Sequence, residues 1–371
     1  MRGALRAAMT TVADLVRAME AIAPTRFAAA WDNVGLLVGD ATRPIARVLL
    51  AIDCTRAVLD EAVSAGCGAI VSYHPPIFDA QRRFVAGSIA YEAARANVAL
   101  YSPHTALDVA AGGTNDVLAD ALGMTARAPL RPFDGGDVAC KLVTFVPAEQ
   151  ADAVGGALFA AGAGRIGKYS SCSFRSPGTG TFLGEEGTSP AVGRSGHLEH
   201  VPELRLETVV PIADVDAALI ALRAAHPYEE PAVDLVRLAA PRASCGFGRV
   251  GSVPRSTVRA LVERIKAVLG AAHVLVAGGL EREVTRAAVC AGSGRELVSD
   301  AIEAGAQLLL TGELGHHDAL RAVASGLGVV CTLHSASERA VLPGLGQMLA
   351  ERLPGVELAQ SAEDREPFAF F

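Results

Sequence analysis

Lysine and tryptophan are scarce in this chain. Lysine stands only at Lys141, Lys168 and Lys266, tryptophan only at Trp31, and aromatic residues make up 5% of the whole. Positive charge is in deficit: 33 basic against 40 acidic side chains leave a formal net charge of −7. Nucleic acid and anionic membranes are polyanions, so neither is expected as a partner. The excess of arginine over lysine reads as codon bias, not recognition. No run of 18 apolar residues is free of a charge or a breaker, so no membrane span is expected. The seven cysteines (Cys54, Cys67, Cys140, Cys172, Cys245, Cys290 and Cys331) are odd in number and never form CxxC. That disfavours a disulfide framework and points to reduced thiols in a cytoplasmic protein. The opening MRGALRAAMTTVADLVRAMEAI is interrupted early by acidic residues. It reads as an amphipathic helix after Thr10 or Thr11 rather than as a signal peptide. There is no GxSxG elbow and no Cys–His nucleophile motif, and Gly178-Thr179-Gly180 lacks the lysine of a phosphate-binding loop.

What is present is core-forming. Hydrophobic residues make up 51% of the 371 and charged residues 20%, a globular composition long enough for two or three domains. From Arg47 the apolar runs RVLLAID, AIVSY and VALYS alternate with helical segments RAVLDEAVSAG, GSIAYEAARAN and TNDVLADALG. The same rhythm returns in RAAVCAG, ELVSDAIEAG, QLLLTG, HHDALRAVASG and GVVCTL. Such alternation predicts an α/β layer structure with parallel strands. Between the two regions the texture changes. VACKLVTFVP, the helix EQADAVGGALFAAGAG, a loop rich in Gly, Ser and Thr, ELRLETVVP, the helix ADVDAALIALRAAH and AVDLVRL suggest a ferredoxin-like α+β insert. The expected organisation is residues 1–136 as the first half of an α/β core, 137–240 as the insert and 241–371 as the second half. RPFDGG and AAPRAS are the expected hinges.

The two outer regions align with each other. LDEAVSAGCGAIVSYH lies over VSDAIEAGAQLLLTGE, so that Ala62 meets Ala301, Gly66 meets Gly305 and His74 meets Glu313. VALYSPHTALD lies over LGVVCTLHSASE, so that His104 meets His334 and Asp108 meets Glu338. Two related half-domains in a pseudo-twofold arrangement are implied.

Four polar clusters follow expected strands: Tyr73-His74, His104 with Asp108, Glu313 with His316 and His317, and His334 with Glu338. Open α/β sheets place ligand sites beyond the carboxyl ends of their strands. In each His-x-x-x-carboxylate pair, the imidazole and a carboxylate one turn later share a helix face. Imidazole nitrogen and carboxylate oxygen suit Zn, Fe, Mn, Co or Ni, and two sets suit two divalent ions per chain. His74, Asp108, His334 and Glu338 are the expected ligands. Glu313 and His104 are the expected catalytic groups, handling protons or orienting a ligand. Trp31-Asp32-Asn33 reads as a turn with a packed aromatic anchor, with Asp32 or Asn33 near the site. His226-Pro227-Tyr228-Glu229-Glu230 has the composition of a site but is explained by a helix end and a proline turn.

At these residues the sequence resembles the NIF-three-like dinuclear metal proteins, often labelled GTP cyclohydrolase 1 type 2 homologues. WDNVGLLVGD, SYHPPIF, PHTALD, TGELGHHDAL and HSASERAVL carry the likeness through both outer halves. IGKYSSCSFRSPGTGTF and HPYEEPAVDL carry it through the insert. The resemblance implies one core of two similar α/β half-domains interrupted by a PII/CutA-like insert. It also implies a toroidal homohexamer and a two-metal site facing its internal cavity, with ligands falling on His74, Asp108, His334 and Glu338. Many members have two adjacent histidines where this chain has Tyr73-His74, and a phenol with a pKa near ~10 is a poor ligand. One metal is therefore expected to be held less well. Two functions follow. One is a metal-dependent hydrolase acting on a nucleotide, phosphoester or cyclic amide. The other is a non-enzymatic metal-binding or regulatory assembly whose insert senses a small ligand.

Overall fold

The computed structural model describes residues 9–133, 139–238 and 245–369. Half of RPFDGG and all of AAPRAS, the expected hinges, lie outside them. The chain divides into two compact units: Met1–Phe133 with Ala243–Phe371, and Asp134–Arg242.

The first unit holds two sheets. In one, the strands run in the order Gly35–Val38, Ala99–Ser102, Ala69–Ser72, Arg47–Ala51 and Glu357–Gln360. The first of these is antiparallel to its neighbour, and the other pairings are parallel. In the other, the order is Leu275–Ala277, Gly328–Cys331, Leu308–Glu313, Glu283–Ser293, Gly246–Thr257 and Thr125–Pro132. It too begins with an antiparallel edge strand followed by three parallel strands. Four strands of each sheet therefore repeat in order and direction, as the internal alignment requires.

The boundary between the halves is less simple than the sequence suggests. Thr125–Pro132, from the first half, pairs with Gly246–Thr257 in the second sheet. Glu357–Gln360, from the second half, pairs with Arg47–Ala51 in the first. Each half lends an edge strand to the other.

The central strands are apolar throughout because both faces are covered. In the first sheet Val48, Leu50 and Ile52 pack with Leu15, Met19, Leu345 and Leu349, while Leu49 and Ala51 face Val58, Leu59 and Ala93. The second sheet divides in the same way, with Val289 and Leu310 on one side and Ala288 and Leu309 on the other. The first helix, Val12–Ile22, starts at Thr11, whose side chain and that of Asp14 form a capping box. All seven cysteines are free thiols.

The second unit has the order strand Ala139–Val146, helix Ala151–Ala160, strands Ser173–Leu183 and Leu198–Pro211, helix Val215–Ala225, strand Val233–Arg237. With the strands numbered one to four along the insert, the antiparallel sheet reads 2-3-1-4, which is the ferredoxin-like arrangement. Here the expected loop is corrected. SFRSPGTGTFL is an eleven-residue strand paired along its length with Leu198–Pro211. Its Pro177 and glycines argue against a central strand, but it lies at the sheet edge, where a missing N–H donor is tolerated.

Candidate metal centre

The parallel strands of both sheets end at the same place. Arg47–Ala51 leads to Asp53, Ala69–Ser72 to Tyr73-His74, and Ala99–Ser102 to the helix His104–Val109. From the second sheet, Leu308–Glu313 delivers Glu313, and Gly328–Cys331 leads to the helix His334–Arg339. The chain turns sharply after Ala69–Ser72, since the Ser72 hydroxyl donates to the carbonyl of His74 at 2.8 Å. That turn lets Tyr73 and His74 approach the site together, their ring centroids 5.3 Å apart.

His74, His334 and Glu338 form the cluster. One ligand atom from each lies within 4.8 Å of the others. Glu338, 3% exposed, sits between the imidazoles: Oε2 is 3.2 Å from His74 Nε2, and Oε1 is 3.2 Å from His334 Nε2. Each imidazole is held at its far nitrogen by another carboxylate. His74 Nδ1 is 2.9 Å from Asp53 Oδ1, and His334 Nδ1 is 3.1 Å from Glu313 Oε1. If Nδ1 donates to that carboxylate, Nε2 is left free for a ligand bond, a pattern common around protein metals.

Two features fit an ion. Glu338 Oε2 is buried and accepts no hydrogen bond of proper geometry despite its closeness to His74. Gly292 lies at φ +60°, and a Cβ there would stand 2.7 Å from Glu338 Oε1 and 3.3 Å from His334 Nε2. Only glycine leaves that room. The Ser337 hydroxyl accepts from the Gly292 N–H at 2.8 Å and donates to the His334 carbonyl at 2.7 Å, fixing this corner.

The other side of the centre is tied up by protein groups. The Tyr73 hydroxyl donates to Asp108 Oδ1. Burial and the charges of Asp108 and Glu338 raise the Tyr73 pKa, so the phenol keeps its proton. Burial also pushes the Asp108 carboxyl up to about 6; Tyr73 works against this and the Glu338 charge adds to it. His104 Nδ1 is 2.7 Å from Asp32 Oδ1, and its ring centroid is 5.4 Å from that of His74. His104 and Asp108 thus stand beside the cluster of His74, His334 and Glu338, not within it. His316 and His317 are exposed at the start of the helix His316–Ala324, their rings against each other.

Sequence reasoning missed Asp53 and Asn115. The side-chain amide of Asn115 donates to the Asp108 carbonyl at 3.0 Å, and its oxygen accepts from the Ala291 N–H at 2.9 Å, joining the two halves at the site. It also misjudged Trp31, which is not a packed anchor. Trp31 is 59% exposed, with Phe78 and His104 near its ring.

The matching family model is Duf34/NIF3 (NGG1p interacting factor 3), which covers residues 10–367. The chain belongs to this family. Among its relatives are proteins named GTP cyclohydrolase 1 type 2 homolog. The one from Halalkalibacterium halodurans is 36% identical over 364 residues, spanning 96% of this chain and 98% of its own. The one from Mycobacterium tuberculosis is 38% identical over 344 residues, spanning 91% and 89%. Among solved structures, a Bacillus cereus protein related to NIF3 is 32% identical with a TM-score of 0.69, covering 98% of this chain and all 100% of its own. A Staphylococcus aureus protein is 27% identical with a TM-score of 0.80, covering 98% and 99%. The α/β core expected for a NIF3 protein is thus the fold of this chain.

Both imidazoles of the cluster have raised pKa values. Burial opposes a charge on His74, but Asp53 and Glu338 outweigh it and the pKa stands at about 10. The hydrogen bond to Glu338 dominates at His334 and, against burial, holds its pKa at about 9. An ion must displace both protons, so affinity is expected to rise with pH by up to ~100-fold per unit through neutrality. Calorimetry in buffers of different ionisation enthalpy reads the released protons directly. Affinity that does not change with pH would remove both imidazoles from the ligand set.

Proposed function

We propose that this NIF3-family chain is a metal-dependent hydrolase that takes up to two divalent ions. The observation that carries the reading is the buried Glu338 carboxylate between His74 and His334, with one oxygen unsatisfied. His74, His334 and Glu338 would hold one ion, and Asp108 and Glu338 would contribute to a second. Because Tyr73 occupies an Asp108 oxygen, the second ion is held less tightly. Bound divalent ions supply an acidified water and polarise the group under attack.

The chain's own residues do the rest. Asp53 and Glu313 orient the two ligating imidazoles. Asp32 accepts from Nδ1 of His104, which turns Nε2 toward the cluster as the position for proton exchange. The carboxylate of Asp32 also accepts the Thr105 N–H at 3.1 Å, so it is locked in place. His104 can therefore take a proton from an attacking water and return it to a leaving group. Glu313, whose side chain is more than half exposed, stands on the solvent side of His334 and can pass that proton outward. The relatives' name suggests opening of a purine ring, which is hydrolysis at an amidine-like carbon. Phosphoesters and cyclic amides present equally suitable electrophiles.

The free thiols support a cytoplasmic location. Among the described residues no helix is long and apolar enough to cross a membrane. Exposed Phe78, Phe84 and Val85 support self-association into the hexamer that the family resemblance implies. The test is a metal-loaded sample, its mass checked by light scattering, screened against nucleotides, phosphoesters and cyclic amides. Turnover that is lost in His104→Asn with metal retained is the expected result. Full metal occupancy with no turnover on any of the three classes would leave a metal-binding assembly and end the hydrolase reading.

A further inference from the structure

The insert carries a cavity that the metal chemistry does not use. Leu206 and Val210 of its strand Leu198–Pro211 pack with the two helices. Residues of opposite parity stand on the other face of the sheet. That face is ordinarily open to water in a two-layer fold, yet here Val201 is buried and Glu203 is only 9% exposed. The segment from Gly184 to Ala191 and the turn from Tyr228 to Ala232 help to enclose a cavity of about 600 Å³ over it. The two walls are joined, since the Ser189 N–H donates to Glu229 Oε2 at 3.3 Å. The volume is that of a small-molecule site.

The cavity has a charge to satisfy. Glu203 Oε1 accepts from the Tyr228 hydroxyl at 2.6 Å. Among the described residues, Glu203 has no other hydrogen-bond donor and no lysine or arginine within ion-pair distance. The one cationic side chain in the lining, Arg205, is committed to Glu207, its Nε 2.7 Å from Oε1. Glu229 and Glu230 add negative charge to the lining. Gly180 is shaped around the acid: a Cβ there would stand 2.1 Å from Glu203 Oε2. Phe145, which already has the Arg205 guanidinium 5.9 Å from its ring centroid, together with Pro177 and Phe182 supplies apolar wall. A nearly buried carboxylate without a counter-charge is unfavourable, and an aromatic wall favours a cation.

We propose that this cavity binds a small organic cation, an amine or amidine on a flat apolar body, with Glu203 as its counter-charge. Anionic ligands, nucleotides included, are repelled by the three carboxylates. The site is independent of the metal centre and of the hydrolase reading.

Benzamidine is a suitable probe, titrated into the full chain and followed by calorimetry and saturation-transfer NMR. It is expected to bind. Benzamide, the neutral analogue of the same shape, should bind roughly tenfold or more weakly, and benzoate should give no signal. Glu203→Gln keeps an oxygen for the Tyr228 hydroxyl and should weaken benzamidine by a similar factor while leaving metal content unchanged. Silence from benzamidine, or equal binding of benzamidine and benzamide to the unaltered protein, overturns the proposal without recourse to any variant. Equal benzamidine affinity in Glu203→Gln overturns the role of Glu203.

Discussion

Replacing Glu338 by glutamine should reduce metal affinity by ~100-fold or more. Even groups that merely orient a metal's ligands cost 10- to roughly 100-fold when removed, and Glu338 faces the site with both oxygens. The amide keeps the side chain's length and one acceptor oxygen, so the change tests charge and ligation rather than packing. It also alters the metal-free protein. Glu338 is the main cause of the raised His334 pKa, and at His74, against burial, it adds to the effect of Asp53. A histidine whose pKa is raised on folding adds stability below its unfolded value near ~6.5, and loses it as pH climbs through the folded value. That contribution is complete in mildly acidic solution and fades as pH passes about 9 and about 10 for His334 and His74. The metal-free Glu338→Gln protein should therefore lose most stability in mild acid and approach the parent at high pH. Metal content after dialysis and unfolding midpoints against pH measure the two effects. Full ion retention by the variant would show that Glu338 is not a ligand and that the centre lies elsewhere.

The contrast between Glu338 and Asp108 shows where sequence reasoning succeeds and where it stops. The repeat pairs them, and both stand one turn into short helices that follow parallel strands. Periodicity and the ends of apolar runs were enough to find both, because a strand buried on both faces leaves a long hydrophobic signature. Their difference depends on Tyr73, whose hydroxyl reaches Asp108 across 35 positions of chain. No local pattern encodes that contact. Asp53 was missed for a related reason. The strand pairings place it opposite Gly292 in the repeat, so there is no matching polar residue to draw notice, and its role appears only when His74 is seen against it. The exchange of Thr125–Pro132 and Glu357–Gln360 between sheets was hidden too, since a strand's composition does not name its partner. In the insert, Pro177, Gly178 and Gly180 masked a strand that survives because its neighbour supplies all its pairing.

Arg249→Met should be the most destabilising single change on the other side of the centre, at ~3–5 kcal/mol. Nothing in the sequence marks Arg249; it lies in the strand Gly246–Thr257 and is 2% exposed. Its Nε is 2.8 Å from Asp116 Oδ1 and its Nη2 is 3.0 Å from Oδ2, a bidentate pair. The remaining N–H groups reach the carbonyls of Gly246 at 2.7 Å, Gly248 at 2.9 Å and Ala110 at 3.1 Å. Ala110 closes the helix that bears His104 and Asp108, so one guanidinium ties that helix to the second sheet. Methionine fills the space but leaves Asp116 and these carbonyls without their donor. Arg127, 3.8 Å from Asp116, offsets part of the loss and places the expected cost toward the lower end. Burial works to raise the Asp116 pKa, but Arg249 overcomes it and the carboxyl titrates below its ordinary value. A depressed carboxylate stabilises above the unfolded pKa near ~3.9, and that contribution disappears as pH falls through the folded value. The gap between parent and Arg249→Met should thus be full at neutrality and close only in acid. Denaturant unfolding at several pH values measures it, with Arg255→Met, which breaks an exposed pair with Glu283, as the reference. A shift no larger than that of Arg255→Met would mean that the buried guanidinium is not what ties the helix of His104 and Asp108 to the second sheet.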